Sequence, residues 1–575
     1  MKTLMTGNEA IARGAYEYGV RLAAAYPGTP STEILENLAK YPDIYSQWSP
    51  NEKVAMEVGI GAAIAGARTL VTMKMVGLNV AADPLFTAAY TGVRSGLVIV
   101  SADDPGMHSS QNEQDNRHYA AFAKVPMLEP SDSQEAKEMV GLALEISERF
   151  DTPVILRTTT RIAHSQSLVE LNQPGERPLK PYAKDARKYV MIPAHGRARR
   201  LVVEERLQRL VEYAEGVSVN RMELRDREIG IITSGISYQY IREALPNVSV
   251  LKLGLTHPLP PQLIRDFASQ VQKLYVVEEL EPYLEKEIRA LGIGVTGKEL
   301  FPPYGEFSAR LVKEKITEAS QAKAVPFEAP VRPPVMCPGC PHRGLFYTLK
   351  QLKLVVSGDI GCYTLGTMAP LEAMDTCICM GASISGALGM EKAQPDLAEK
   401  VVSVIGDSTF LHSGITGLMD VVYNGGHSTV LILDNSITAM TGHQDNPGTG
   451  KTLMGKPAPK VDFAALARAV GVQRVSVVDP FDLEHSKEVI KAEVATKEPS
   501  VIISRRPCAL IIKTHEPPVE VHDCTGCKMC LKLGCPALSF NEEKKTIQVD
   551  GALCTGCGLC VNVCKFNALR KAGVN

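Results

Sequence analysis

Two hydrophobic patterns alternate along the first 160 residues. Short runs that are apolar throughout, such as "RTLVTMK" (68–74) and "GLVIVSA" (96–102), read as strands buried on both faces. Between them lie Ala- and Gly-rich stretches with helical spacing. This alternation predicts an α/β fold over a parallel sheet. It breaks between about Gln166 and Asp226, a charged stretch containing "ERPLKPYAKDARK". It resumes through "EIGIITSGIS", "VSVLKLGLTHPLP" and "KLYVVEEL" to about Glu318. The Ala- and Pro-rich "QAKAVPFEAPVRPPV" (321–335) has neither period and reads as a linker. A third α/β unit carries the strands "KVVSVIGD" (400–407) and "STVLILDN" (428–435), and a short cysteine-dense tail closes the chain. The predicted segments are 1–165, a connection at 166–226, 227–318, a linker at 319–335, 336–515 and 516–575.

Composition adds exclusions. The chain has 575 residues, enough for several domains, and a net charge of −2 that gives no footing for nucleic acid or an anionic membrane. The opening "MKTLMTGNEAIARG" has no apolar signal region, and no apolar run approaches the ~18 residues of a spanning helix. A cytoplasmic protein is expected. Cysteines are absent before Cys337 and then fall mostly in C-x2-C groups, which is ligand spacing rather than a disulfide framework.

In the tail, "CTGCKMCLKLGCP" and "CTGCGLCVNVCKF" are each C-x2-C-x2-C followed by a fourth cysteine. Three closely spaced thiolates suit three corners of a cubane, and the fourth cysteine of each run reaches the other cluster. This predicts one [4Fe–4S] cluster on Cys524, Cys527, Cys530 and Cys564, and a second on Cys554, Cys557, Cys560 and Cys535. Zinc would favour two separated pairs. The segment resembles a bacterial two-cluster ferredoxin domain, with four residues rather than three before Cys535 and Lys565 where proline often stands.

In the third unit "GDS" (406–408) closes one strand and, 25 residues on, Asp434–Asn435 closes the next. Both fall where open α/β sheets bind ligands. The spacing resembles the diphosphate motif of thiamine diphosphate enzymes, with Ser408 and Asp434 replacing its usual glycine and first asparagine. That resemblance implies Mg²⁺ held by Asp407, Asn435 and the Ile437 carbonyl, hard oxygens suited to the ion. Ser408, Thr441 and Gly442 are the further expected cofactor contacts. "DNPGTGKT" (445–452) mimics a nucleotide-binding loop, but it lacks the first glycine and a following helix.

The front of the chain resembles the pyrimidine-binding domain of the 2-oxoacid:ferredoxin oxidoreductases, in "AYPGTPSTEI" (25–34) and "NEKVAMEVGIGAAIAGAR" (51–68). The resemblance places the cofactor-activating glutamate at Glu52, with Glu57 as runner-up, and a substrate-facing threonine at Thr29. The fold it implies is a pyrimidine-type domain, a transketolase-C-like domain, a diphosphate-type domain and the two-cluster tail. With "CPGCPHRG", "GDIGCYTLG" and "SADDPGMHSSQNEQDNR", the order most resembles the α subunits of indolepyruvate:ferredoxin oxidoreductases. Pyruvate enzymes of the wider family carry an arginine where Asp103–Asp104 stand here. The implied activity is oxidative decarboxylation of an aryl 2-oxoacid such as indolepyruvate, with coenzyme A as acyl acceptor. The implied partners are ferredoxin and a small β subunit, in an (αβ)2 assembly. In two-subunit relatives a further [4Fe–4S] cluster lies beside the cofactor, and its pattern matches Cys337, Cys340, Cys362 and Cys508. Cys377 and Cys379 match nothing and are expected as buried core thiols. Two other readings are a non-oxidative decarboxylase and a non-catalytic iron–sulfur relay. The cysteine tail argues against the first, and Asp407, Asn435 and Glu52 argue against the second.

Overall fold

The computed structural model describes residues 1–177, 179–317, 330 and 333–573. The expected linker at 319–335 lies mostly outside them. The chain divides into two compact units, Met1–Pro326 and Phe327–Asn575. Among the described residues no helix is long and apolar enough to cross a membrane.

The first unit is built on a seven-stranded sheet. Its order is Leu255–His257, Met127–Leu128, Val154–Thr159, Leu97–Asp103, Thr69–Lys74, Leu22–Ala25 and Tyr45–Trp48. All neighbours are parallel except the Leu255–His257 edge. The strands Thr69–Lys74, Leu97–Asp103 and Val154–Thr159 are buried along their whole length, as their uninterrupted apolar runs require. A four-stranded sheet of Lys273–Val277, Asp226–Thr233, Val248–Lys252 and Arg221–Glu223 forms the second layer system.

The stretch read as a connection, 166–226, has structure of its own. Gln166–Glu170 pairs with Lys2–Thr6, and Pro193–Gly216 is a 24-residue helix. Buried Arg206 on that helix donates to the carbonyls of Asp151 and Ala89, tying it to the first sheet's helices. The two sheets are joined by buried charge. Arg117 bridges Asp115 and Glu278, each at 2.5 Å.

The second unit carries a six-stranded, all-parallel sheet. Its order is Thr376–Cys377, Val355–Gly358, Val401–Gly406, Thr429–Asp434, Ser500–Arg505 and Arg474–Val478. The tail adds two small antiparallel ladders and the helix Leu559–Val563. One continuous apolar core runs from Leu345, Phe346 and Leu431 of the sheet layer to Leu533, Ile547, Leu559 and Val563 of the tail. Buried Arg343 reinforces the junction by donating to the carbonyls of Leu533 (2.7 Å) and Met336 (2.6 Å).

Candidate functional site

In the first unit the candidate residues gather at the C-terminal edge of the sheet, where parallel strands present loops to ligands. Glu52 opens the helix Glu52–Ile64, whose N-cap Asn51 accepts from the Val54 amide. Its side chain is only 5% exposed. Gly77 packs against it, and a Cβ there would stand 2.7 Å from the Glu52 carboxylate oxygen Oε1, so the position needs glycine. Glu57 is exposed and paired with Lys53 at 2.5 Å. The contrast favours Glu52, because a solvated glutamate on a surface ion pair cannot protonate a ring shielded from water. Thr29 lies half-buried in the turn after Leu22–Ala25. Ser31 Oγ donates to the Gly28 carbonyl (2.9 Å) and Asn8 to that of Pro30 (2.7 Å), which holds the turn.

Asp103 and Asp104 are both committed. The Arg157 guanidinium donates to Asp103 at 2.7 Å. Burial nevertheless pushes Asp103 up to about 6, with Asp115 adding to the rise and Arg157 opposing it. Asp104 accepts from the Ser109 amide and the Ser110 and Thr160 hydroxyls, and stays below the ordinary aspartate range despite its burial. Together they shape the loop that follows the strand.

In the second unit Asp407 follows the strand Val401–Gly406 directly and is 3% exposed. Its Oδ1 accepts from the Ser408 amide at 2.6 Å, while its Oδ2 is buried without a partner. Burial, and secondly the Asp434 carboxylate, push it up to about 8. A buried carboxylate oxygen left unpaired beside a second carboxylate is costly unless a cation sits there. Asn435 lies at the end of the next strand, and its Oδ1 accepts from the Ile437 amide at 3.3 Å. The Ser408 hydroxyl accepts from Thr438 at 3.0 Å, and Thr441 donates to Gln444 at 2.6 Å. Gly442 takes a φ of +122°, open to glycine alone without strain. The unpaired Asp407 oxygen, the Asn435 amide oxygen and the Ile437 carbonyl are hard oxygens of the kind that fits Mg²⁺ on a diphosphate. Residues 445–452 form turns with no helix behind them, unlike a nucleotide-binding loop.

The cysteines fall into three neighbourhoods. Cys535, Cys554, Cys557 and Cys560 line one pocket together with Cys340. Burial, and then the neighbouring thiols Cys557, Cys535 and Cys554, raise Cys560 to about 12. Cys530 rises to about 11 through burial and then through Cys527, Cys564 and Cys524. Cys564 thus lies near Cys530 of the first run, and Cys535 near Cys560 of the second. Backbone amides point at sulfur in the Val519–Cys554, Ile547–Cys524 and Ala568–Cys564 pairs, at 3.3–3.5 Å. In the third neighbourhood burial lifts Cys340 to about 12 and Cys362 to about 11, with Cys337 a neighbour of both and Cys508 of Cys362. Thiols held neutral by burial become ligands once a metal displaces the proton. Among the described residues no group of three or more His, Cys, Asp or Glu side chains is gathered as around a single ion. The sets rest on spacing and mutual proximity.

Two departures from expectation stand out. Cys377 is half-buried and Cys379 exposed, so neither is a core thiol. Cys377 lies on a sheet-edge strand, Thr376–Cys377, and Cys379 two residues beyond it. Asp359, within "GDIGC", was not singled out by sequence, yet it is fully buried and accepts from the Gly381 and Ser383 amides, both at 3.0 Å. It anchors the helix Ala382–Ala393 beside the candidate cofactor edge.

Three family models match: "Pyruvate flavodoxin/ferredoxin oxidoreductase, thiamine diP-bdg" over residues 13–215, "Thiamine pyrophosphate enzyme, C-terminal TPP binding domain" over 359–504, and "4Fe-4S binding domain" over 547–570. The indolepyruvate oxidoreductase subunit IorA of Archaeoglobus fulgidus is 41% identical over 100% of this chain and 98% of its own length. This chain belongs to the IorA family. The IorA of Pyrococcus horikoshii is 40% identical over 99% of this chain and 97% of its own. Among solved structures, a 2-oxoglutarate:ferredoxin oxidoreductase from Magnetococcus marinus aligns over 55% of this chain and 65% of that one, at TM-score 0.47 and 18% identity. As an IorA-family member the chain is a thiamine diphosphate- and iron–sulfur-dependent subunit of a ferredoxin-dependent oxidative 2-oxoacid decarboxylase.

Proposed function

We propose that this chain is the catalytic α subunit of a cytoplasmic enzyme that converts aryl 2-oxoacids, indolepyruvate foremost, and coenzyme A to the aryl-acetyl-CoA and CO₂. The two electrons released go singly to ferredoxin, and a small β subunit completes an (αβ)2 assembly. The observation that carries the reading is the buried Asp407 oxygen without a hydrogen-bond partner at the strand end, in a chain whose cysteines also lie near one another.

When bound, thiamine diphosphate supplies the carbanion that attacks a keto carbon and the sink for the electrons left as CO₂ departs. The protein's residues do the rest. Asp407, Asn435 and the Ile437 carbonyl hold Mg²⁺, with Ser408, Thr441 and Gly442 against the diphosphate. Glu52 keeps a proton on the pyrimidine ring, and Thr29 faces the substrate carboxylate. Cys337, Cys340, Cys362 and Cys508 would hold the cluster that accepts these electrons, and the thiols lining a pocket with Cys340, namely Cys535, Cys554, Cys557 and Cys560, would hold the next. Cys524, Cys527, Cys530 and Cys564 would hold the last cluster, and of these Cys527 is exposed to a docking ferredoxin.

The test is anaerobic turnover by the purified complex. Ferredoxin reduction should require both indolepyruvate and coenzyme A. Release of the aldehyde without ferredoxin reduction would refute the oxidative assignment.

A further inference from the structure

We propose that Lys74 is the cation that receives the carboxylate of the 2-oxoacid beside Thr29, a specificity-determining residue of the same site. The inference rests on the reading of Thr29 given above. Lys74 ends a strand buried along its length, at the sheet edge where one neighbouring strand runs into the Thr29 turn and the other ends just before Asp104. Its Nζ donates to the Ser109 carbonyl at 2.7 Å and reaches the Ser109 hydroxyl at 3.2 Å. The same hydroxyl lies 3.2 Å from the Thr29 carbonyl. Gly28 lets the two approach, since a Cβ there would stand 3.0 Å from the Lys74 Cβ. Three residues beyond Lys74, Gly77 touches Glu52. Lys74 therefore stands between the candidate cofactor-activating glutamate and the candidate substrate threonine.

No carboxylate pairs directly with its charge. Lys74 is 8% exposed, and among the described residues no carboxylate lies within ion-pair distance of Nζ. Asp104 is nearest in effect but stands behind Ser109, already satisfied by the Ser109 amide, Ser110 and Thr160. Burial lowers Lys74 to about 8, with Asp104 as the opposing influence, so it remains protonated at neutral pH. A neutral donor would satisfy the Ser109 carbonyl at smaller desolvation cost. A desolvated ammonium with no carboxylate at ion-pair distance and only Asp104 acting on it from behind Ser109, beside a turn that receives substrate, suits a monoanionic carboxylate. The interaction exists before CO₂ leaves and not after, so it serves binding rather than the chemical step.

The test uses the anaerobically purified complex, saturated with thiamine diphosphate and coenzyme A. Lys74→Gln keeps a donor for Ser109 and removes the charge. KM for indolepyruvate should rise roughly tenfold to hundredfold, the scale of one charge-assisted hydrogen bond, with little change in kcat or in KM for coenzyme A. Lys74→Arg should recover most of the loss. The methyl ester of the same oxoacid, assayed as a competitive inhibitor, should bind the wild type and Lys74→Gln alike, and bind the wild type more weakly than the acid does. An unchanged KM in Lys74→Gln, or equal weakening of acid and ester, would overturn the assignment and leave Lys74 as a loop anchor. A wild-type complex that reduces ferredoxin with no 2-oxoacid would instead overturn the functional reading, before any variant is made.

Discussion

The backbone amide of Cys508 donates to the carbonyl oxygen of Asn435 at 3.0 Å. One residue is a candidate Mg²⁺ ligand and the other a candidate cluster ligand, so the two sites are joined by a single peptide contact. Arg506 strengthens the link, its amide donating to the Asp434 carbonyl, also at 3.0 Å. Anything that carries electrons at Cys508 is coupled to the cofactor edge through rigid backbone.

Loss of the outlying pair of cysteines should therefore stall electron transfer without dismantling the tail. Cys337→Ala/Cys340→Ala should lose about four irons per chain, one cluster's worth, and keep the tail's. Ferredoxin reduction should fall to background while the first turnover of 2-oxoacid still releases CO₂. Iron analysis with a single-turnover CO₂ assay reads both.

Glu52→Gln should leave thiamine diphosphate bound and lower kcat roughly 10²–10⁴-fold, the usual weight of a positioned acid–base group. Glu57→Gln removes only an exposed partner of Lys53 and should change kcat little. Steady-state rates and cofactor binding by calorimetry check both. Interchanged effects would place the active glutamate one turn further on.

Asp407→Asn should act in opposite directions on the apo and loaded chains. Without cofactor it removes a buried carboxylate that Asp434 and desolvation both disfavour, so the melting temperature should hold or rise. With Mg²⁺ and thiamine diphosphate the stabilisation seen in the wild type should shrink, and excess of both should restore part of it. A lower apo melting temperature would contradict the origin assigned to the strain.

His257 gives a pH dependence. It is half-buried with its Nε2 shut off from solvent and without a partner, its Nδ1 lies 3.1 Å from the Tyr283 hydroxyl, and desolvation of the ring lowers it to about 4. The unfolded chain protonates near 6.5 while the folded chain does not, so protons favour unfolding. Stability from this group is intact above pH 6.5 and declines as pH falls toward about 4, by about 3 kcal/mol at most. Thermal melts of wild type and His257→Gln should converge in their pH dependence above pH 7 and separate below 6, with the wild type falling faster.

What could be read from sequence was whatever repeats or keeps a fixed spacing. Val401–Gly406 and Thr429–Asp434 were visible as apolar runs, and Asp407 and Asn435 were visible because the motif puts them at the ends of those strands. Tail cysteines announced themselves by spacing. Lys74 did not, because one lysine closing a strand has no pattern and its meaning comes from Ser109 and Thr29, far off in sequence. The shared core of tail and sheet layer was hidden for the same reason, since Phe346 and Leu559 meet only after folding. The helix Pro193–Gly216 was missed because its polar sequence shows no apolar face, and few of its residues, Val203 and Leu210 among them, are buried.

The most direct test of the account is anaerobic iron and acid-labile sulfide analysis of the fully reconstituted wild-type chain. Three [4Fe–4S] clusters, the Cys337 set beside the cofactor edge and two in the tail, predict about twelve irons and about twelve sulfides per chain. About eight of each, with one zinc, would contradict the wire from the thiamine site to the tail.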